Sequence, residues 1–174
     1  MADDVAGASA GEAPASRVRA RLSELGRELP TVAAPVAAYV PAVRTGRYVQ
    51  TSGQLPFVDA ALPATGKVGA EVSLEQAAEL AALSCLNALA AIEAVAGSLD
   101  RVVSVVKVTG YVASATDFTA QPAVINGASE LLGEVFGQAG AHSRAAVGVA
   151  VLPLDAPVEI DLLVELADDD ATRT

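Results

Sequence analysis

Apolar residues recur at spacings of three and four between residues 16 and 29, with charged residues at most positions between them. This period is typical of an amphipathic helix with one buried face. Pro30 and Pro35 follow, and proline disrupts a helix interior, so the sequence predicts a short N-terminal helix that ends before them. The apolar stripe consists of Val18, Leu22, Leu25 and Leu29.

Short strand-forming segments come next along the chain. Residues 38–43 and 47–51 contain Val and Tyr and flank the turn-forming sequence Arg44-Thr45-Gly46, which predicts a β-hairpin. Residues 59–72 contain Pro63, two Gly residues and no apolar period. This segment is predicted to form a surface loop.

Two longer helices are predicted from their start and stop signals. Ser73 and Gln76 match a capping box, in which the Ser side chain and a residue three positions later bind free backbone amides. A helix of about 23 residues should follow and stop at Gly97. A second helix is predicted from Asp117 to Gly137, with its one proline in the first turn.

The remaining apolar segments are predicted to be strands. Val102–Ala113 is rich in β-branched residues and contains no proline, as expected for a central strand. Two final strands are predicted at about 144–151 and 158–166. The resulting order ββαβαββ indicates a mixed sheet that carries two helices, which is an α+β domain.

Composition and charge limit the class of protein. The 174 residues are 52% hydrophobic, enough for one core, so we expect a single domain over residues 15–167 with disordered tails at 1–14 and 168–174. The net charge is −10, and an acidic protein repels the phosphates of nucleic acids. We therefore expect no nucleic acid partner.

The cysteine count and the apolar stretches bear on the compartment. Cys85 is the one cysteine and lies in an Ala/Leu helical pattern, which favours a buried thiol and a reducing compartment. The apolar stretch Leu80–Ile92, at about 13 residues, is too short to cross a bilayer and suits a core helix. The N-terminal residues lack the pattern of a secretory signal. We expect a soluble cytoplasmic protein with no membrane association.

Two charged residues in the closing strands are candidates for chemistry. Because strand residues alternate between faces, Arg144 shares its face with small residues, among them Ala146 and Gly148. Small neighbours leave room for a ligand or for a closely packed helix. Glu159 follows a Leu-Pro turn, and we expect the two strands to be neighbours whose anion-binding and acid/base groups meet in one site. Strand alternation by itself favours the other interpretation, a solvated acidic face at Glu159 and a surface or ion-pair role for Arg144.

A set of short motifs also occurs in a fixed order along the chain. A Ser-Gly-Gln-Leu-Pro segment precedes Arg144, a Leu-Pro pair begins eight residues after Arg144, and a Val-Glu-Ile segment lies beyond it. The full set is Tyr39-Val40, Thr51–Pro56, Lys107–Val112, Asp117-Phe118, Asn126, Arg144, Leu152-Pro153 and Val158–Ile160. Together, these motifs resemble the RidA/YjgF family of enamine/imine deaminases over roughly residues 36–166.

The resemblance implies a fold, an assembly and a reaction. The implied fold is the chorismate-mutase-like α+β fold, with a mixed sheet of about six strands and two main helices on one face. The implied assembly is a homotrimer with three sites in the clefts between subunits. The implied reaction is hydrolysis of reactive enamine/imine acids, such as 2-aminoacrylate and 2-iminopropanoate, to a 2-keto acid and ammonia. No metal or organic cofactor is implied.

The same resemblance assigns roles to individual residues. Arg144 matches the arginine that binds the substrate carboxylate, and Glu159 matches the glutamate that orients or activates the attacking water. Without the family pattern, the other matching residues would read as an ordinary strand residue, a hairpin turn and an exposed helix residue. These further substrate-binding candidates are Tyr39, Ser52, Gly53, Asn126 and Ala146.

Two departures from the family pattern lie beside Arg144. Ala146 stands where the best-known deaminases have a cysteine, and His142-Ser143 replaces a usual Pro-Ala pair. Strand alternation places His142 on the Arg144 face, although its position at the strand entrance favours a surface loop histidine over a catalytic one.

Two functions of different classes remain open. The first is an enamine/imine deaminase, which the presence of both Arg144 and Glu159 favours. The second is a non-catalytic trimer that binds a small carboxylate or a protein partner, which Ala146 favours. Ribonuclease activity, known for some relatives, is disfavoured because the sequence shows no basic stripe and few aromatic residues.

Overall fold

Five strands form one mixed sheet in a computed structural model that describes residues 16–32 and 39–168. The strands are β1 (Ala42–Thr45), β2 (Tyr48–Thr51), β3 (Val102–Ala113), β4 (Ser143–Val149) and β5 (Val158–Leu166). Their spatial order is β1-β2-β5-β3-β4, in which β3 and β4 are parallel and the other pairs antiparallel. The predicted order ββαβαββ is confirmed, but the described part of the chain has five strands, not about six.

Some predictions concern residues outside the ranges that the structure describes. The predicted tail at 1–14, residues 169–174 of the predicted acidic tail and the first residue of the strand predicted at 38–43 lie outside the described residues.

The longest helix matches its sequence signals at both ends. This helix, α2 (Leu74–Ala96), begins after Ser73, whose side chain accepts a hydrogen bond from the Gln76 backbone amide at 3.2 Å. It ends at Gly97, which has a φ of 81°. A positive φ is accessible to glycine without steric cost, so the glycine stop is a backbone requirement.

The first and last helices differ from their predicted bounds. The first, α1 (Arg17–Glu24), stops short of Leu29 because Gly26 turns the chain with a φ of 68°. The last, α3 (Gln121–Phe136), begins at Gln121 and not at Asp117. The prediction that a helix from Asp117 has Pro122 in its first turn was wrong, because Pro122 is the sixth residue from Asp117 and its missing N–H would break a hydrogen bond there. With the start at Gln121, Pro122 does lie in the first turn.

The helices α2 and α3 cover one face of the sheet. Alternate residues of β5, from Val158 to Leu166, are fully buried against these helices, and Gly110 of β3 faces Ile125 of α3. The intervening residues of β5, among them Glu159 and Asp161, point to the other face and are only half-buried. The sheet therefore has a covered face and an open face.

The length of α2 bears on the membrane prediction. With 23 residues, α2 is the one helix in the described ranges whose length and composition would suffice for a membrane span. However, 61% of its most apolar 18-residue stretch is buried inside the protein. Cys85 is fully buried within it, in agreement with the prediction of a core helix and a buried thiol.

The segment predicted as a surface loop is partly internal. Val68 and Val72 are buried, and Val68 exchanges backbone hydrogen bonds with Ala113 and Ala115 at 2.8 and 2.9 Å. The loop thus extends the pairing at the end of β3. This pairing was not predicted, because the glycines and the proline of the segment interrupt its apolar period.

Candidate functional site

Arg144 on β4 is held against α3. Its Nη1 donates to Asn126 Oδ1 at 2.9 Å and to Ser129 Oγ at 3.1 Å. Register explains this contact, because Arg144 pairs with the buried Val108 of β3 and shares its face. The placement of Arg144 beside small residues is confirmed, since Ala146 and Gly148 follow on the same helix-facing side.

The guanidinium of Arg144 keeps one hydrogen-bonding edge available. Its Nη1 carries two N–H groups, and Asn126 and Ser129 use both. Nε and Nη2 form the remaining edge, whose parallel N–H groups match a carboxylate. Within residues 16–32 and 39–168, no carboxylate forms an ion pair with Arg144. The exposed Arg144 can therefore bind an external anion.

His142 belongs to the same group of contacts. Its Nε2 lies 3.0 Å from Ser129 Oγ, and its Nδ1 lies 2.6 Å from the Gly140 carbonyl oxygen. His142 lies outside β4, at the strand entrance where the sequence placed it, but its side chain is hydrogen-bonded to these neighbours. The side chain is only partly exposed, and it contacts Ser129 in the middle of α3.

Glu159 on β5 lies on the open face of the sheet. Gly53 packs directly against it, and a Cβ added at Gly53 would overlap the Glu159 carboxylate. Burial raises the pKa of Glu159, and the nearby negative charge of Asp161 raises it further. A raised pKa suits a carboxyl group that must both accept and return a proton.

Tyr111 and Asp161 are further neighbours of Glu159, and neither was predicted to be a site residue. Tyr111 pairs with Glu159 across β3 and β5, and its hydroxyl donates to Asp161 Oδ2 at 3.3 Å. Burial and the two carboxylates raise the pKa of Tyr111. Strand alternation could have predicted Asp161, because it is two residues from Glu159 and therefore lies on the same face of β5.

Ser52 follows β2 and Tyr39 precedes β1, so both lie beyond the strand ends opposite the hairpin turn. The Ser52 hydroxyl donates to the Val40 carbonyl at 2.7 Å, and the Ser52 amide donates to the Pro41 carbonyl at 2.8 Å. Ser52 thus fixes the chain beside Glu159. Tyr39 lies at a bend before β1 and is 52% exposed, so it is not a strand residue.

Arg144 and Glu159 do not meet within one chain, contrary to our expectation for neighbouring strands. β3 lies between β4 and β5, and the two side chains point to opposite faces of the sheet. Two strand spacings and a three-residue offset separate their Cα atoms by about 14 Å. The Leu-Pro connection crosses over the end of β3 instead of forming a hairpin, and Leu154 and Asp155 within it have φ of 57° and 58°.

The candidate residues therefore form two groups. The arginine group, on the helix-covered side at edge strand β4, consists of Arg144, Asn126, Ser129, His142 and Ala146. The glutamate group, on the open face, consists of Glu159, Asp161, Tyr111, Gly53 and the adjoining Ser52.

Neither group is arranged as a metal centre. In the part of the chain that the structure describes, no three His, Cys, Asp or Glu side chains are grouped to hold a metal ion. Cys85 belongs to neither group. Burial raises the pKa of its thiol to about 12. An unreactive core thiol is the expected consequence.

Comparison with known proteins assigns the family. Residues 19–166 match the family described as "YjgF/chorismate mutase-like, putative endoribonuclease". The chain belongs to the RidA/YjgF family. Its fold is accordingly the chorismate-mutase-like fold, as the motifs predicted.

Individual relatives agree with this assignment. Protein TCP17 of Trypanosoma cruzi is 45% identical over 86% of this chain and 94% of its own length. The Agrobacterium tumefaciens protein Atu1372 is 43% identical, with a TM-score of 0.81 over 87% of this chain and 93% of that one. RidA from an Antarctic Psychrobacter is 30% identical, with a TM-score of 0.55 over 78% of this chain and 94% of that one.

Proposed function

We propose that this member of the RidA/YjgF family hydrolyses small enamine/imine carboxylates at sites shared between the subunits of a homotrimer. One observation carries the proposal: the arginine and glutamate groups lie on opposite faces of one sheet, so they do not meet within one chain. A second copy of the chain can bring a glutamate group to an arginine group. The cytoplasmic location and the absence of a cofactor remain expectations from the sequence.

The open face of the sheet supports self-association. Exposed apolar residues are distributed over β1 to β4, although this face has no helix within the described chain. Apolar patches of this kind mark contact surfaces. These residues are Val43, Tyr48, Val103 and Val147.

The chemistry follows from the two groups. The Nε/Nη2 edge of Arg144 binds the substrate carboxylate, which places the adjacent C=N carbon at a fixed position. The Glu159 carboxylate accepts a proton from water as its oxygen adds to that carbon. Glu159 passes this proton to the nitrogen, which gives a carbinolamine. Glu159 then accepts the proton of the new hydroxyl and passes it to the same nitrogen, so that the C=O bond forms as the C–N bond breaks and a 2-keto acid and ammonia leave.

Activity of the wild type and of two variants tests the proposal. 2-Aminoacrylate is generated in solution, and release of keto acid and ammonia is compared for wild type, Arg144→Ala and Glu159→Gln. Wild type should accelerate release, and each variant should lose at least about 100-fold, as expected when a charged binding group or a general base is removed. Wild-type activity equal to the uncatalysed rate would exclude the deaminase.

A mixing experiment tests whether the site is shared. Arg144→Ala and Glu159→Gln chains carrying different tags are co-expressed, and mixed trimers are isolated by both tags. A shared site predicts that about one site in three has both residues intact, so activity returns to about a third of wild type. Mixed trimers as inactive as either parent would place both residues of each site in one subunit.

Ala146 favours a second function, the binding of a small carboxylate without catalysis. Ala146 has a methyl group where the best-known deaminases have a thiol, while the Nε/Nη2 edge of Arg144 remains available to a carboxylate. Pyruvate binding without accelerated release would support this alternative. The family description also names endoribonuclease activity, but the glutamate group is acidic and would repel a phosphate backbone.

A further inference from the structure

We propose that Ser129 and His142 are positioning residues that hold Arg144 in its carboxylate-binding orientation. This inference rests on the proposed function, because it assigns the two residues to the same anion-binding site. The observation behind it is a continuous set of contacts that joins Arg144, Ser129, His142 and Gly140.

The donor and acceptor chemistry fixes the direction of the hydrogen bonds. The Gly140 carbonyl oxygen can only accept, so Nδ1 of His142 carries a proton and donates to it. In the neutral imidazole, Nε2 is then an acceptor, and the Ser129 hydroxyl donates to it. Ser129 Oγ keeps a lone pair for Arg144 Nη1. The chain of bonds runs from Arg144 through Ser129 to His142 and ends at Gly140.

The far end of this chain is rigidly attached to α3. Gly140 is buried, and a Cβ at this position would overlap the Leu132 carbonyl of the helix. The backbone therefore packs against α3 as closely as glycine allows. His142, held by Gly140, and Ser129, held in the helix, both lie in fixed positions relative to α3.

The consequence for Arg144 is a fixed rotation of its guanidinium. One acceptor, Asn126, would leave the group free to pivot about a single hydrogen bond. The second acceptor, Ser129, removes that freedom and directs the Nε/Nη2 edge away from α3. A preorganised edge binds a carboxylate with a smaller loss of side-chain entropy.

Four variants separate this role from a structural one. Ser129→Ala removes the acceptor of Arg144. His142→Gln can keep an acceptor near Nε2, whereas His142→Asn can replace only the Nδ1 donor. The control is Ser143→Ala, because Ser143 is also an exposed neighbour of Arg144 but donates to the Val106 carbonyl at 2.8 Å instead.

Two measurements are made on the full-length wild type and on each variant. Pyruvate binding is measured by calorimetry, and the side-chain NMR signal of Arg144, assigned with Arg144→Lys, reports rotation of the guanidinium. Ser129→Ala and His142→Asn should weaken pyruvate binding about threefold to tenfold, the ratio for one lost hydrogen bond, and should speed the rotation. His142→Gln and Ser143→Ala should resemble wild type in both measurements.

The two measurements distinguish failure of this inference from failure of the proposed function. Unchanged Arg144 rotation in Ser129→Ala would overturn the positioning role. Equal effects of Ser143→Ala and Ser129→Ala would also overturn it, because the effect would not depend on the contact with Arg144. Altered rotation without pyruvate binding by wild type would keep the positioning contact and reject the carboxylate site.

Discussion

Asp161 lies two residues from Glu159 on the same face of β5, and its negative charge raises the pKa of the Glu159 carboxyl. Burial is the larger cause of the same shift. The two effects act in one direction because both disfavour the ionised glutamate. Asp161 therefore adjusts the proton affinity of the group that we assign as the acid/base residue.

Asp161→Asn should lower the pKa of Glu159 without restoring its ordinary value. The substitution removes the second cause and leaves burial in place. Since water activation requires ionised Glu159, the acidic limb of the kcat/KM profile should move to lower pH. The measurement is the pH profile of wild type and variant. A shift to higher pH would contradict this electrostatic assignment.

Glu159→Gln should raise the stability of the folded protein at neutral pH. Because the pKa of Glu159 is raised on folding, the folded state binds the proton more tightly than the unfolded state does. The contribution of Glu159 to the free energy of unfolding is therefore fully present below the unfolded pKa and is lost as pH rises through the folded pKa. Glutamine does not ionise, so Glu159→Gln does not lose this stability as pH rises. Its advantage in urea unfolding should be present at pH 7 and absent below about pH 4.

Gly53→Ala should impair activity by displacing Glu159. The added methyl would overlap the carboxylate, so the side chain or the hairpin turn must move. Because the overlapped atoms belong to the outer part of a flexible, half-buried side chain, the loss of stability should be small, about 1 kcal/mol or less, while activity falls. Activity and thermal unfolding are measured together. Wild-type activity in Gly53→Ala would show that the position of Glu159 is not critical.

Two glycines of α3 should respond in opposite ways to alanine. At Gly127 the added Cβ would overlap the Ala78 carbonyl of α2, whereas at Gly133 it would meet nothing within 4 Å. Gly127→Ala should therefore force the helices apart and destabilise the fold by about 2 kcal/mol or more. Gly133→Ala should stabilise it by about 0.5–1 kcal/mol. Chemical denaturation of both variants checks the contrast.

Local sequence signals predicted much of the fold. The bounds of α2 followed from Ser73 and Gly97, and β3 from an uninterrupted run of β-branched residues. These signals act over a few residues, so they can be read from a single sequence. The face of Arg144 was also predictable, because alternation along a strand is local.

Strand order was not predictable in the same way. The sequence between β4 and β5 shows a Leu-Pro turn, which is compatible with a hairpin or with a crossover. Pairing with β3, which lies far away in sequence, decides between them. For the same reason Ser129 and Tyr111 were missed, since each becomes a site neighbour only through contacts between distant elements.

The central position of β5 has a consequence for the folding pathway. β5 follows every other strand in sequence, yet it joins β2 to β3, which do not pair with each other. The hairpin of β1 and β2 and the parallel pair of β3 and β4 can form first, but they remain separate pieces of sheet with unpaired edges. Nascent chains that lack β5 should therefore depend on chaperones to shield those edges.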